Sequence, residues 1–299
     1  RVTVVLSDNS PGWRWQSDFY NTKHNAGNTY GIYYHEALWG SGPHLAQAIS
    51  PEHTYDLFKE AYERNDRYYA ILNVSNVRPF QLGESAAAKM LYNFPDFDPE
   101  TFEAAWMGDR FGKNADEVKK IFDDYFQGYV VDDARGVPLF LDGLIKSIAL
   151  KSLQDIKNTM ATPDKYRRSA NRTNAVDKSN HKDDSRAISD MLPQAEDVDS
   201  LLSKARRQQE QHLVVLKAAK QLLPSLDSTS RSYFETALFS QLKIMCGLED
   251  WLVSVLQAKK AIDHEDFDDG QKFLTKAMNG FSLVKEGKAL NTKGLKWKY

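Results

Sequence analysis

The sequence is almost devoid of cysteine, since Cys246 is the only one among 299 residues. No disulfide can therefore form within the chain, and cysteine usage leaves the redox compartment open. Cys246 lies at helical spacing from Leu242, Met245 and Leu248, which predicts a small side chain in a helical core. A lone nucleophile is the alternative, but no histidine is its neighbour in sequence.

An excess of charge of one sign is also lacking, because 39 basic side chains are balanced by 41 acidic ones and the formal net charge is −2. This balance provides no electrostatic footprint for a nucleic acid. No apolar run approaches the roughly 18 residues that a membrane-spanning helix needs. We therefore expect neither a nucleic acid nor a membrane as a partner. The length predicts one or two domains with a large core.

Sequence motifs for common cofactors are missing as well. The segment Gly40-Ser41-Gly42 lacks the third glycine and the helix start of a phosphate-binding loop, and no G-x-S-x-G nucleophile motif occurs. Four histidines fall within one short window, but no pair has the spacing of a helical metal site; they are His24, His35, His44 and His53. The sequence thus predicts no cofactor, and a metal site is only a minor alternative.

The chain begins with an alternation of strands and helices. Apolar, β-branched and aromatic runs predict strands over residues 2–6, 30–34 and 67–74. Helical periodicity predicts helices over 51–64, where Ser50 is the capping residue, and over 81–93. The polar residues 16–29 predict a long loop. This order implies parallel strands joined by right-handed crossovers, which is an α/β arrangement.

Beyond residue 98 the pattern is all-helical. Apolar stripes at spacings of three and four predict six helices, over 101–110, 115–127, 138–160, 195–223, 228–260 and 266–285. The last three predict a helical bundle, with Ser228 or Ser230 capping the middle helix. Residues 161–186 are highly charged and lack large aliphatic side chains, which predicts a polar linker or surface loop.

Polar side chains follow each of the three predicted strands, where parallel α/β folds bind their ligands. They are Asp8 and Asn9, then His35 and Glu36, then Asn73 and Asn76. Asp8 and Glu36 are the pair of carboxylates that acid–base hydrolysis of a glycoside needs, set about 6.5–9.5 Å apart for inversion or about 5–5.5 Å apart for retention. Histidine and asparagine side chains suit hydrogen bonds to sugar hydroxyls.

Aromatic side chains are interleaved with these polar residues and offer flat apolar faces to a sugar ring; they are Trp13, Trp15, Tyr33, Tyr34 and Trp39. The combination predicts a carbohydrate ligand. The alternative is that the tyrosines belong to the core and the tryptophans anchor loops.

Three segments together resemble glycoside hydrolase family 115, the α-glucuronidases that remove (4-O-methyl-)glucuronic acid from xylan side chains. They read SDN at 7–9, GIYYHEALWG at 31–40 and ILNVSNVRP at 71–79. The resemblance covers roughly residues 1–130. It implies that residues 1–95 are the C-terminal half of a catalytic TIM-like (β/α)8 barrel. The helical patterns and the polar composition predict a helical connection packed on the barrel at 96–160, the linker at 161–186 and a helical bundle at 187–299.

Residue by residue, the resemblance assigns substrate contacts to Asn9, Tyr33, His35 and Asn73. The carboxylic acid that the family places before its Asp-Asn pair would precede Arg1. Because the sequence opens directly on a core strand, we expect this chain to be part of a longer polypeptide, and because half a barrel leaves strand edges open, we expect it to be inactive alone. The chain departs from the family where Ser75-Asn76 replaces Gly-Asp and where Glu36 follows His35. Another uronic acid or another sugar is therefore open as the substrate.

We therefore predict an inverting glycoside hydrolase that acts on polysaccharide side chains. Asp8 or Glu36 is the in-chain acid or base, and the sugar contacts are Asn9, Tyr33, His35, Trp39, Asn73 and Asn76. The resemblance implies a carbohydrate partner and a secreted or periplasmic location, and it leaves a homodimer open. The alternatives are a non-catalytic carbohydrate-binding or scaffold protein, and an interaction bundle with a vestigial barrel.

Overall fold

A computed structural model describes residues 2–8, 12–132, 136–161 and 197–293. Within these residues the protein is a mixed α/β structure, mostly helical, with a small parallel sheet. Asn9 and residues 162–186 of the predicted linker lie outside the described residues. In the described part, no helix combines the length and the apolar character that a membrane crossing requires.

The parallel sheet has three strands in the order β1 (Thr3–Ser7), β2 (Thr29–His35) and β3 (Tyr69–Asn73). Both pairings are parallel, and the register aligns Ser7 with Tyr33 and His35 with Asn73. The predicted strands and their parallel direction are thus confirmed. Because all three strands run the same way, their carboxyl ends meet at one edge of the sheet.

Helices cover one face of this sheet. They are α1 (Ser17–Asn21), α2 (Pro51–Glu63) and α3 (Gln81–Tyr92). The side chain of Ser50 accepts a hydrogen bond from the backbone N–H of His53 and caps α2 as predicted. The prediction of a continuous loop over 16–29 is wrong at α1, where the buried Phe19 anchors a short helix to the sheet.

The opposite face of the sheet is open. Its outward residues include Val5, Tyr69 and Ile71, which are exposed, although parallel sheets bury both faces in nearly all known folds. Leu6, Ile32 and other inward residues form a hydrophobic cluster with α2 and α3. The described residues therefore form a sheet with one packed and one uncovered side.

The remaining elements form the helical part, which comprises the described residues from 99 to 293. Its members are α4 (Pro99–Phe111), α5 (Ala115–Gln127), a hairpin of β4 (Val131–Asp132) and β5 (Val137–Pro138), α6 (Asp142–Ala161), α7 (Val198–Leu222), α8 (Ser228–Phe234), α9 (Ser240–Asp263), α10 (Phe267–Ala277) and α11 (Gly280–Asn291).

Three details of the predicted helices need correction. The helix predicted over 138–160 begins only at Asp142, because the hairpin precedes it. A π-helical turn at Glu235–Phe239 interrupts the helix predicted over 228–260, and Asp227 caps it instead of Ser228 or Ser230. The helix predicted over 266–285 is split between α10 and α11.

One hydrophobic core runs through the helical part and reaches the loops beside the sheet. Helix α9 is buried along most of its length and packs against α6, α7, α10 and α11. The same cluster includes Ala46, Ala48 and Leu82, which lie in the loop after β2 and in α3. The sheet region and the helical part therefore share apolar surface at the carboxyl ends of the strands.

Candidate active site

A carboxylate and an imidazole form a buried pair at the carboxyl ends of β1 and β2. Asp8 follows β1, and its backbone N–H donates to the carbonyl oxygen of Tyr33 at 3.1 Å. Its carboxylate accepts from the backbone N–H of His35 at 3.2 Å through Oδ2, and its Oδ1 contacts the ring Nδ1 of His35. Burial raises the pKa of Asp8, and the hydrogen bonds from His35 oppose this shift.

Only one ring nitrogen of His35 has a hydrogen-bond partner among the described residues. Nδ1 is paired with the carboxylate of Asp8, which accepts a hydrogen bond when Nδ1 carries the proton, and Nε2 has no partner in the described part of the chain. A carboxylate that fixes the tautomer and orientation of an imidazole in this way prepares the other nitrogen for a ligand. The pair can therefore present a proton donor or acceptor to a substrate.

Tyr33 and Asn73 complete a cluster with His35. The rings of Tyr33 and His35 lie 4.3 Å apart between centroids, because residues two apart on a strand point to the same face. Asn73 Nδ2 donates to the Tyr33 hydroxyl at 3.2 Å. The backbone carbonyl of Asn73 accepts from the backbone N–H of Ala37 at 3.1 Å. The structure thus brings together three of the predicted sugar contacts.

Glu36 points away from this cluster, toward the packed side of the sheet. It is fully buried, and neither carboxylate oxygen has a hydrogen-bond partner among the described residues. A Cβ at Gly83 of α3 would lie 2.6 Å from Glu36 Oε2, so the carboxyl group packs directly against the backbone of α3. Burial, reinforced by the negative charges of Glu84 and Asp8, raises the pKa of Glu36 to about 8.

The expectation that Asp8 and Glu36 face one open pocket is not met in the described residues, because both side chains are 0% exposed. The carboxylate of Asp8 is hydrogen-bonded to His35, and the side chain of Glu36 lies between β2 and α3. The alternation of β2 places Tyr33 and His35 on one face and Tyr34 and Glu36 on the other, which separates Glu36 from the ring of His35.

The remaining predicted site residues differ in their surroundings. Trp39 is 82% exposed and packs against the ring of His44 in a tilted arrangement, with centroids 4.5 Å apart and an angle of 57° between the ring planes. Asn76 is exposed in the loop after β3. Trp15 and Tyr34 are buried core residues. The alternative interpretation of core packing is therefore correct for Tyr34, and Trp15 belongs to the same core.

Two residues of the helical part hold the strand-end loops, and sequence reasoning missed both. The carboxylate of Asp142 accepts backbone N–H groups from residues 44–46 in the loop after β2. The side-chain Oε1 of Gln241 accepts from the backbone N–H of Gln47 at 2.5 Å, and its Nε2 donates to the backbone carbonyl of Pro79 at 2.8 Å. Gln241 therefore joins the loop after β2 to the loop after β3. These contacts span about a hundred or more residues, so no local pattern reveals them.

Other features of the described residues lie apart from this site. A cleft of about 280 Å³ opens at the amino end of β3 and is lined by Tyr62, Arg67 and Tyr69, which is the opposite end of the strands from His35. Within the part of the chain that the structure describes, no group of three or more histidine, cysteine or carboxylate side chains is placed to hold a metal ion.

Comparisons with known proteins agree with the resemblance found in the sequence. The family model described as Glycosyl hydrolase family 115 matches residues 1–131, the segment that contains the strand-end cluster. No curated protein matches the chain. Among solved structures, the chain is similar to a family GH115 4-O-methyl-α-glucuronidase with specificity for decorated arabinogalactans, with a TM-score of 0.58 and 13% identity.

This similarity extends over 98% of the present chain and 32% of the solved one. The chain thus spans about a third of the length of that protein. At 13% identity the likeness concerns the fold, and it includes the helical part beyond the family match.

Proposed function

We propose that the chain, whose residues 1–131 match the family model of Glycosyl hydrolase family 115, is the sugar-binding part of a glycoside hydrolase that releases an α-linked, (4-O-methyl-)glucuronic-acid-type side chain from a polysaccharide. The observation that carries this proposal is the cluster of Tyr33, His35 and Asn73 at the carboxyl ends of two adjacent parallel strands. Parallel α/β enzymes bind their ligands at this edge.

The open face of the sheet supports a barrel as the setting of this site. Parallel strands with helices on one side and exposed apolar residues on the other need cover, and within the described residues neither outer strand, β1 or β3, has a further strand on its outer side. A closed (β/α)8 barrel provides strands for both edges and covers the open face. We propose that these three strands belong to such a barrel, whose other strands lie in a longer polypeptide.

In the proposed reaction a carboxylate activates water and a protonated carboxyl group donates to the leaving oxygen, with inversion at the anomeric carbon. Asp8 acts through His35, whose Nε2 contacts the sugar, and Tyr33 and Asn73 bind hydroxyl groups. Glu36 is predominantly protonated at neutral pH because its pKa is about 8, but it is buried on the packed face of the sheet, away from the ring of His35. We therefore assign the proton donation to a carboxyl group outside this cluster.

Binding of glucuronic acid to the 299-residue chain, measured by titration calorimetry, tests the proposal. We expect His35→Ala and Asn73→Ala each to weaken binding by about tenfold or more, since each removes a polar contact at the centre of a site. His264→Ala is the matched control, because His264 is exposed at the end of α9. If both site variants bind as tightly as the control, the assignment of this cluster is wrong.

A non-catalytic carbohydrate-binding protein is the second candidate. It is favoured by the burial of both strand-end carboxyl groups, Asp8 and Glu36. Release of glucuronic acid from a decorated xylan oligosaccharide separates the two functions: binding without release by the longer polypeptide supports the second candidate. A secreted or periplasmic location and a homodimer remain proposals, to be tested by cell fractionation and by sedimentation.

A further inference from the structure

Trp39 is highly exposed to solvent and lies in a loop that is closed by backbone hydrogen bonds. Its side chain is 82% exposed and lies against His44. The loop closes on itself through hydrogen bonds from Leu38 N to Pro43 O at 2.9 Å and from Gly42 N to Leu38 O at 3.2 Å. An indole held out toward solvent on such a loop presents a preformed flat apolar surface.

Asp142 fixes the base of this loop from the start of α6. Its Oδ2 accepts the backbone N–H groups of His44 at 2.8 Å, Leu45, and Ala46 at 3.3 Å. Its Oδ1 accepts the N–H of Gly143 at 2.6 Å. Several backbone N–H groups on one buried carboxylate form strong, charge-assisted hydrogen bonds. They hold the segment that directly follows the Trp39 loop.

Two glycines bring the loop and α6 into backbone contact. Gly42 has φ +85°, and a Cβ there would lie 2.0 Å from Asp142 Oδ1. A Cβ at Gly143 would lie 2.1 Å from the carbonyl oxygen of Gly40. By contrast, no heavy atom lies within 4 Å of a Cβ at Gly40, so there is space beside Trp39. The side of the loop that faces α6 is therefore tightly packed, whereas the side that carries Trp39 is open to solvent.

We propose that Trp39, backed by His44, is a platform for the uncharged main chain of the polysaccharide whose acidic side chain enters the Tyr33–His35–Asn73 cluster, and that Asp142 is the positioning residue of this platform. The inference rests on the proposed function. The exposed surface of the platform consists of an indole and an imidazole, which suit the C–H face of a neutral sugar ring. A rigid platform limits the conformational entropy that binding costs.

Titration of the 299-residue chain with xylohexaose and, separately, with glucuronic acid tests the platform. We expect Trp39→Ala to weaken xylohexaose binding by about tenfold or more and to leave glucuronic acid binding unchanged. The matched control is Tyr92→Ala, because Tyr92 is 91% exposed and lies at the other end of the strands. Equal losses in both variants would indicate a general aromatic surface effect and overturn the platform.

Asp142→Asn tests the positioning role. We expect it to weaken xylohexaose binding by about threefold or more without an effect on glucuronic acid, because it removes the charge that holds residues 44–46. Asp227→Asn is its control, since Asp227 also accepts two backbone N–H groups but caps α8. The melting temperatures of both variants show whether a lower affinity reflects unfolding.

The outcomes separate the two proposals. If the unaltered chain binds glucuronic acid but Trp39→Ala binds xylohexaose normally, the platform proposal is wrong and the proposed function is still supported. If the unaltered chain binds neither sugar, both the platform proposal and the proposed function are wrong. If Trp39→Ala loses affinity and Asp142→Asn does not, Asp142 is not the positioning residue.

Discussion

The buried carboxyl group of Glu36 makes the stability of the protein depend on pH in a defined direction. Its pKa rises from 4.5 to about 8 in the folded state, so between these values the folded protein binds more protons at this site than the unfolded chain. The free energy of unfolding therefore falls as pH rises from about 4.5 to about 8, and the contribution of this group levels off outside that window.

The size of this effect on the free energy of unfolding follows from the same shift in the pKa of Glu36. At about 1.36 kcal/mol per pH unit, moving the pKa from 4.5 to about 8 corresponds to a destabilisation on the order of 5 kcal/mol once the group is ionised. Glu36→Gln keeps the shape of the protonated side chain and cannot ionise. The variant should match the unaltered chain near pH 4.5 and exceed its free energy of unfolding by several kcal/mol at pH 8.

Urea unfolding followed by circular dichroism at pH 4.5, 6 and 8 measures this difference. Taking the difference between the two proteins removes the contribution of all other titrating groups. Glu63→Gln is the control, because Glu63 is an exposed glutamate at the end of α2. A difference between Glu36→Gln and the unaltered chain that does not change with pH would refute the argument, because it would mean that Glu36 ionises at an ordinary pKa.

Three further substitutions test the packing, each by urea unfolding at pH 6. Gly31→Ala should destabilise the sheet by about 1–3 kcal/mol, because its Cβ would lie 2.1 Å from the carbonyl oxygen of Tyr69; a neutral result would contradict this close approach. Glu249→Leu should cost about 3–5 kcal/mol, since the buried His212 Nδ1 contacts Glu249 at 2.6 Å, and an effect below 1 kcal/mol would contradict it. Ser50→Ala should cost about 1 kcal/mol through loss of the α2 cap, and an unchanged unfolding midpoint would argue against that cap.

The strands and the larger helices were predictable because their signals are local. The apolar run at residues 30–34 has strand composition, and Ser50-Pro51-Glu52 marks the start of α2. The short helix α1 was missed because its five residues contain a single buried side chain, Phe19, which gives no periodicity. The π-helical turn at Glu235–Phe239 has no sequence signature, since apolar stripes continue through it.

The candidate site was predictable only in part. The strand-end positions of Asp8, His35 and Asn73 followed from the order of the elements, and parallel pairing brings them together. The inward direction of Glu36 follows from strand alternation with Tyr34. The anchoring by Asp142 depends on tertiary packing of a residue almost a hundred positions away, which sequence spacing cannot show.

The shared hydrophobic core has a practical consequence for dissecting this protein. The family match ends at residue 131, inside the short strand β4 (Val131–Asp132). Tyr125 and Val130, just before that point, belong to the same cluster as Leu252 in α9. A recombinant fragment cut at the sequence-family boundary would expose these side chains to water and would be expected to aggregate. Truncation and chimera designs should therefore follow the limits of the core, keeping α5 with the helices it packs against.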